Sequence, residues 1–139
     1  MTPYILDTDT LSLAQQGHPK VSQQCGARPP ANLAITVISV EEQLSGWYTA
    51  LRKARRPDDL ARAYLRLAAT VQFLAQWTIL PFTTTAISRY QQLIGLKLNV
   101  GRMDLRIAAI VLDEGDTLVT RNTRDFGRVP GLILEDWSV

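Results

Sequence analysis

The chain has 139 residues, of which 46% are hydrophobic and 20% are charged, and its formal net charge is +2. This size and composition predict a single domain over residues 1–139 and exclude the disordered, fibrous and membrane-spanning classes. Because Cys25 is the one cysteine and residues 1–7 do not resemble a secretion signal, we expect a cytoplasmic protein without an intrachain disulfide.

Apolar runs and helical spacing predict strands that alternate with helices along the whole chain. In chain order, the predicted elements are a strand at 3–6, helices at 9–16 and 19–25, a loop at 28–30, a strand at 33–36, helices at 39–55 and 57–77, a strand at 78–82, helices at 83–98 and 103–114, and strands at 116–120 and 132–135. Pro81 predicts an edge position for the third strand, since proline cannot donate to a sheet ladder. The alternation predicts a three-layer α/β/α fold with a central parallel sheet of four or five strands.

Basic residues are concentrated in one part of the chain. Residues 52–66 hold six arginines and lysines against Asp58 and Asp59. Twelve of the fifteen basic residues are arginines, which suit bidentate phosphate contacts. The cluster therefore indicates either a face that binds a polyanion or an ordinary solvated helix face.

Oxygen-bearing side chains lie where predicted strands end or helices begin. They are Asp7, Glu42, Asp104, Asn122 and Asp125. In a parallel α/β sheet these positions fall near one edge, where converging carboxylates repel one another unless a cation neutralises them. The single histidine, His18, leaves a metal site to oxygen ligands, so we expect Mg²⁺ or Mn²⁺.

Each of these residues also has a purely structural interpretation. Asp9 is a candidate N-cap of the first helix, and Ser39 with Glu42 matches a capping box. Asp104 would complement a helix dipole, and Asn122 would cap a turn. We favour a shared site, because four such groups occur at corresponding positions, one of them within an apolar helix where an unpartnered carboxylate is costly.

Four segments together resemble the PIN-domain ribonucleases, specifically the VapC-like toxins of prokaryotic toxin–antitoxin modules. The segments are residues 5–11 (Ile-Leu-Asp-Thr-Asp-Thr-Leu), 38–46, 101–109 and 118–126, in the family's order and spacing. In that family the position of Asp9 is more usually Asn, so Asp9 is a departure that adds a charge. Related PIN domains often have Asp where this chain has Asn122, which leaves Asn122 or Asp125 to supply the fourth oxygen.

The resemblance implies a metal-dependent endoribonuclease that hydrolyses RNA through a water activated by Mg²⁺ or Mn²⁺. Asp7 and Asp104 would be the principal metal ligands, Glu42 would support the metal or orient the water, and Asn122 or Asp125 would complete the pocket. We expect the RNA backbone to bind arginines outside the pocket: Arg52, Arg55, Arg56, Arg102, Arg121 and Arg124. Trp47, Tyr48 and Phe126 are candidates for base stacking, with core packing as the alternative for each.

The expected partners are a VapB-like antitoxin and a second copy of the chain. The predicted helix at 57–77 carries an apolar stripe that would pack against such a partner or against the core of the monomer; it comprises Leu60, Tyr64, Leu67, Val71 and Leu74.

Two alternative functions stay open. Residues 5–11 also fit a haloacid-dehalogenase-like phosphatase with Asp7 as nucleophile and Asp9 as its acid–base partner. A PIN-domain RNA-processing nuclease or RNA-binding module outside a toxin system is the other.

Overall fold

The structure is a computed structural model, and it describes residues 3–139. In chain order the elements are β1 (Tyr4–Leu6), α1 (Thr8–Gln15), α2 (Pro19–Gly26), a 3-10 helix (Pro30–Asn32), β2 (Leu33–Thr36), α3 (Val37–Lys53), α4 (Pro57–Leu74), β3 (Thr78–Leu80), α5 (Thr84–Gly95), α6 (Arg102–Glu114), β4 (Thr117–Val119), α7 (Thr123–Phe126) and β5 (Ile133–Glu135). The predicted elements are all present, with ends shifted by a few residues. The 3-10 helix and α7 are two short elements that the sequence analysis did not predict.

The five strands form one parallel sheet in the order β3-β2-β1-β4-β5. β3 is an edge strand, as predicted, although Pro81 follows the strand instead of lying within it. The chain builds the sheet outward from β1 to β3 and then returns to the other side of β1 for β4 and β5. This reversal produces a crevice between the carboxyl ends of β1 and β4, where ligands bind in open α/β sheets.

Hydrophobic residues on both faces of the sheet build two cores. Because successive strand residues point to opposite faces, Ile5 and Leu118 pack into one core, while Leu6 and Val119 pack into the other. The first core takes most of its residues from α5 and α6, and the second takes residues from α1 and α2. The buried segment Ile107–Val111 explains why α6 is apolar nearly all round. The predicted three-layer α/β/α arrangement is confirmed.

Helix starts and ends position the polar groups at the crevice. Asp7 caps α1 and Thr36 caps α3, each at the carboxyl end of a strand. At the opposite edge, Gly115 ends α6 in the left-handed conformation (φ 73°), which glycine adopts without steric cost, and turns the chain into β4. In the described residues, 3–139, no helix is long and apolar enough to cross a membrane.

Candidate active site

A cavity of about 440 Å³ opens at the crevice between β1 and β4. It is lined by Asp7, Thr8, Asp9, Ser12, Glu42, Asp104, Asn122 and Phe126. Four of the five predicted site residues therefore line one cavity, although they come from four separate segments of the chain. The fifth, Asp125, does not line the cavity, but it accepts a hydrogen bond from Asn122, which does.

Asp7 is held in one orientation by two hydrogen bonds. Its side chain is buried, with 5% of the residue exposed. Oδ1 accepts from the backbone N–H of Thr10 at 2.8 Å, and Oδ2 accepts from Oγ1 of Thr120 at 2.6 Å. Burial raises the pKa of Asp7, and the hydrogen bonds from Thr120 and Thr10 oppose part of that rise.

The strand register explains why Thr120 meets Asp7. Leu6 on β1 pairs with Val119 on β4, so the next residues of the two parallel strands emerge side by side. The backbone N–H of Asp7 also donates to the carbonyl of Val119 at 3.0 Å. The sheet itself therefore fixes the spacing of these two groups.

Glu42 is oriented by a pair of hydroxyl groups. Oγ1 of Thr8 donates to Oε1 of Glu42 at 2.6 Å and lies 2.9 Å from Oγ of Ser39, which is fully buried. The capping-box interpretation of Ser39 and Glu42 is wrong, because α3 begins at Val37 and its N-cap is Thr36. Glu42 is thus free of a capping role and faces α1 instead of its own helix end.

Asp104 lies in the first turn of α6 and its environment disfavours its charged form. Burial and, in decreasing order, the negative charges of Glu42, Asp7 and Asp125 together raise the pKa of Asp104 to about 6. The carboxylates are therefore close enough to repel one another. A bound cation would relieve this repulsion.

Asn122, not Asp125, lines the cavity. Asn122 caps α7 as its structural interpretation predicted, accepting from the backbone N–H of Asp125. Its Nδ2 donates to Oδ2 of Asp125 at 3.1 Å, and Oδ1 of Asp125 pairs with Arg128 at 3.0 Å. Asp125 is thereby engaged with Arg128 and Asn122.

The donor set suits a hard divalent cation that keeps part of its water shell. Within residues 3–139, no three His, Cys, Asp or Glu side chains are close enough to hold an ion by themselves. The carboxylates nevertheless share one cavity, and Mg²⁺ usually binds through one or two carboxylates plus several waters. A hydrated Mg²⁺ or Mn²⁺ ion therefore fits these residues better than a fully dehydrated one.

The departure at Asp9 forms an ion pair at the rim of the cavity. Oδ2 of Asp9 accepts from Nε of Arg121 at 2.9 Å, and both side chains are about half exposed. The expectation that Asp9 caps α1 is wrong, because Asp7 holds that position. The pair brings one predicted RNA-binding arginine to the cavity entrance.

The other predicted RNA-binding arginines fall into two groups. Arg102 lies two residues before Asp104 at the start of α6, and Arg124 lies in α7, so both are near the site along the chain. Arg52 lies near the end of α3, with Arg55 and Arg56 in the connection to α4. Since a helix rises about 1.5 Å per residue, that end of α3 is on the order of 15 Å from Glu42.

The three stacking candidates have different environments. Phe126 is 1% exposed and belongs to the first core, so the stacking hypothesis is wrong for it. Tyr48 is exposed, whereas Trp47 is half-buried and lines the cavity next to the active site. Trp47 therefore keeps a surface on which a ligand can pack.

Three hydroxyl groups that orient the carboxylates were not predicted as part of the site: Thr8, Ser39 and Thr120. A signal for two of them is present. Thr8 directly follows Asp7, and Thr120 directly follows the apolar run of β4, at the same edge of the sheet. Ser39 was considered only as a helix cap.

No family model matches the chain. The chain is 39% identical over 70 residues to Ribonuclease VapC2 of Rickettsia felis, an alignment that spans 48% of this chain and 52% of that protein. It is also 26% identical over 141 residues to the tRNA(fMet)-specific endonuclease VapC of Salmonella typhimurium, across 99% of both chains. The match thus covers about half of the first relative and nearly all of the second.

Solved structures give the same result. The fold is similar to that of DNA-bound VapBC from Salmonella typhimurium, with a TM-score of 0.80 and 26% identity over 99% of both chains. VapBC2 from Rickettsia felis, bound to a DNA fragment from its promoter, gives a TM-score of 0.72 and 28% identity over 96% of this chain and 98% of that chain. We therefore set the phosphatase alternative aside. The resemblance found in the sequence is confirmed: the chain is similar to VapC ribonucleases in sequence and to VapBC structures in fold.

Proposed function

We propose that this protein is an endoribonuclease that hydrolyses RNA phosphodiester bonds with Mg²⁺ or Mn²⁺ and acts as the toxin of a toxin–antitoxin pair in the cytoplasm. The cavity lined by Asp7, Glu42 and Asp104 carries the proposal. Support comes from the full-length likeness to a relative named a tRNA-specific endonuclease and from a second relative named a ribonuclease.

Each side chain of the cavity has its own proposed role in cleavage. A divalent ion bound in the cavity would supply positive charge to offset the charge that develops on the phosphate. Asp7 and Asp104 would hold it, and Glu42, fixed by Thr8, would orient the attacking water or support the ion. Asn122 would complete the pocket with a neutral amide oxygen, which adds no further negative charge.

The rim arginines would hold the RNA backbone. Arg121 already lies at the entrance through its pair with Asp9, and an exposed ion pair of this kind contributes only about 0–1 kcal/mol. A phosphate can therefore replace Asp9 on Arg121 at low cost. Arg102 and Arg124 would add contacts near the cavity.

The metal requirement gives the first test. The purified chain is expected to cleave single-stranded RNA with Mg²⁺ or Mn²⁺, and to lose that activity when EDTA removes the ion, because the carboxylates otherwise repel the phosphate. The measurement is the rate at which a labelled RNA pool is cut, with each cation added back after EDTA. Equal cleavage in EDTA would contradict the metal role, and no cleavage with any divalent ion would contradict the nuclease.

We also propose that the protein pairs with a VapB-like antitoxin and forms a homodimer. VapBC is named in the similar structures from Salmonella typhimurium and Rickettsia felis. The predicted apolar stripe on α4 is only partly used by the core: Leu74 is buried, whereas Leu60, Tyr64 and Val71 are exposed. Leu65 beside them is 70% exposed. Exposed apolar clusters of this kind mark interaction sites, and we assign this one to a second copy of the chain.

The dimer prediction is tested on the isolated chain. We expect it to sediment as a dimer and Leu65→Glu to sediment as a monomer, because a charge in a desolvated apolar interface is costly. Leu96→Glu is a matched control, since Leu96 is 54% exposed and lies after α5, outside the α4 stripe. A parent chain that sediments as a monomer would contradict the prediction.

A further inference from the structure

The catalytic cavity continues into a chain of neighbouring cavities along α1, α3 and α4. Thr8, Ser12 and Glu42 line both the catalytic cavity and an adjacent one of about 410 Å³. Trp47 lines that adjacent cavity and also a cavity of about 450 Å³ between α3 and α4. We call this continuous surface the lateral groove, marked by Gln16, Gln43, Trp47, Lys53, Arg62 and Arg66.

The middle of the lateral groove is rich in amides, with Glu42 at the end next to the catalytic cavity. Gln16 is exposed, and Gln43 is half-buried, with its Nε2 donating to Oγ of Ser12 at 3.3 Å. An amide offers both donors and an acceptor, the pattern that reads the edges of unpaired bases. Trp47 lies beside them and provides an aromatic face, which is the usual platform for an unstacked base.

The far end of the lateral groove is basic. Lys53, Arg62 and Arg66 line the cavity between α3 and α4. The guanidinium of Arg66 lies 5.8 Å from the ring centroid of Trp47, and Arg62 pairs with Asp59 at 3.2 Å in an exposed ion pair. Such a pair is weak, so Arg62 can exchange Asp59 for a phosphate. Lys53 lies on the order of 16 Å along α3 from Glu42, so this end is several nucleotides from the cavity.

The acidic cavity, the aromatic and amide section and the basic end lie in an order that a single RNA strand could follow. The catalytic cavity is acidic and contributes little attraction to a polyanion, so backbone affinity must come from elsewhere. An aromatic and amide section followed by three cations provides base contacts first and phosphate contacts beyond them. We expect an unpaired strand, because stacking on Trp47 requires a base that is free of its partner.

We propose that the lateral groove binds a single-stranded RNA segment next to the cleaved bond, with one base stacked on Trp47, the glutamines reading base edges, and Lys53, Arg62 and Arg66 holding the backbone. This inference rests on the proposed ribonuclease function and extends it to the choice of substrate.

The test measures binding of a fluorescent single-stranded RNA in the Asp104→Asn background, where cleavage is blocked. Trp47→Leu is expected to weaken binding about 5- to 150-fold, the range that corresponds to loss of one stacked base. Arg66→Gln is expected to lower the slope of log affinity against log salt by about 0.7, as for one lost phosphate contact on a single strand. Because Arg66 is exposed, its replacement leaves folding intact even if Trp47→Leu unfolds the chain.

Arg89→Gln is the matched control, since Arg89 is an exposed arginine on α5 that pairs with Asp113 and does not line the lateral groove. We expect its affinity and salt slope to equal those of the parent. Equal losses for Arg89→Gln and Arg66→Gln, or parental affinity in both groove variants, would overturn the inference while leaving the nuclease in place. Unchanged RNA affinity with lost antitoxin binding in Trp47→Leu would overturn it and assign the groove to the protein partner. A parent that neither binds nor cuts RNA would instead refute the proposed function itself.

Discussion

Asp104→Asn is expected to reduce RNA cleavage by more than about 100-fold, because it removes a charged oxygen from the proposed metal site. Even residues that only support metal ligands typically cost about 10- to 100-fold when replaced. The measurement is the initial cleavage rate at saturating Mg²⁺, and Asp7→Asn is expected to show the same loss. Asp113→Asn is the matched control, since Asp113 lies on the same helix but pairs with Arg89 outside the cavity.

A stability measurement separates this loss from unfolding. The pKa of Asp104 is raised to about 6, above its ordinary value of 3.8, so the metal-free fold loses stability as pH rises from the lower value through the higher one. Asn carries no charge and avoids that loss. In EDTA, Asp104→Asn should therefore gain stability relative to the parent between about pH 4 and pH 7, as measured by urea unfolding. A variant that cleaves RNA at the parental rate would contradict the metal-site assignment, and a variant that loses stability in EDTA would contradict the charge repulsion at Asp104.

Thr120→Val is expected to lower both stability and cleavage, although Thr120 does not line the cavity. Its hydroxyl donates to Oδ2 of Asp7 at 2.6 Å and accepts from the backbone N–H of Asn122 at 2.9 Å. Both bonds are lost in the variant, which keeps the shape of the side chain. We expect a loss of about 1–3 kcal/mol in the free energy of unfolding and a fall of about 10- to 100-fold in cleavage rate.

Thr120→Ser distinguishes positioning from packing. Serine keeps the hydroxyl and loses the methyl group, so it should recover most of the cleavage rate and the affinity for Mg²⁺, whereas a packing role would leave both variants impaired. The Mg²⁺ concentration that gives half-maximal cleavage should rise in Thr120→Val. A folded Thr120→Val that cleaves RNA at the parental rate would show that Asp7 needs no such support.

Sequence patterns were sufficient to predict the three layers and the order of strands and helices along the chain. Each strand is short and apolar and is followed by a helix with its own start signal, so Pro57 and the acids after it defined α4 well. Short elements were missed for a physical reason. The helix Thr123–Phe126 is held by the side chain of Asn122 and by tertiary packing of Phe126, and a four-residue segment has no helical period to detect.

The site was predictable in its charged members and not in its neutral ones. Asp7, Glu42 and Asp104 could be grouped because carboxylates at strand ends require a shared explanation. Asn122 and Asp125 remained alternatives, since three residues along one turn do not reveal which side chain faces the cavity. The hydroxyl of Thr8 acts on Glu42 across 34 positions of sequence, and only the packing of α1 against α3 brings the two together.

The pairing of the first strand with the fourth has a consequence for synthesis. Asp7 and Thr120 are 113 positions apart, and β1 has β4 as its neighbour on that side of the sheet. A nascent polypeptide that stops short of Thr120 therefore lacks the strand that orients its first carboxylate. The proposed site is therefore complete only after β4 has been synthesised and has paired with β1.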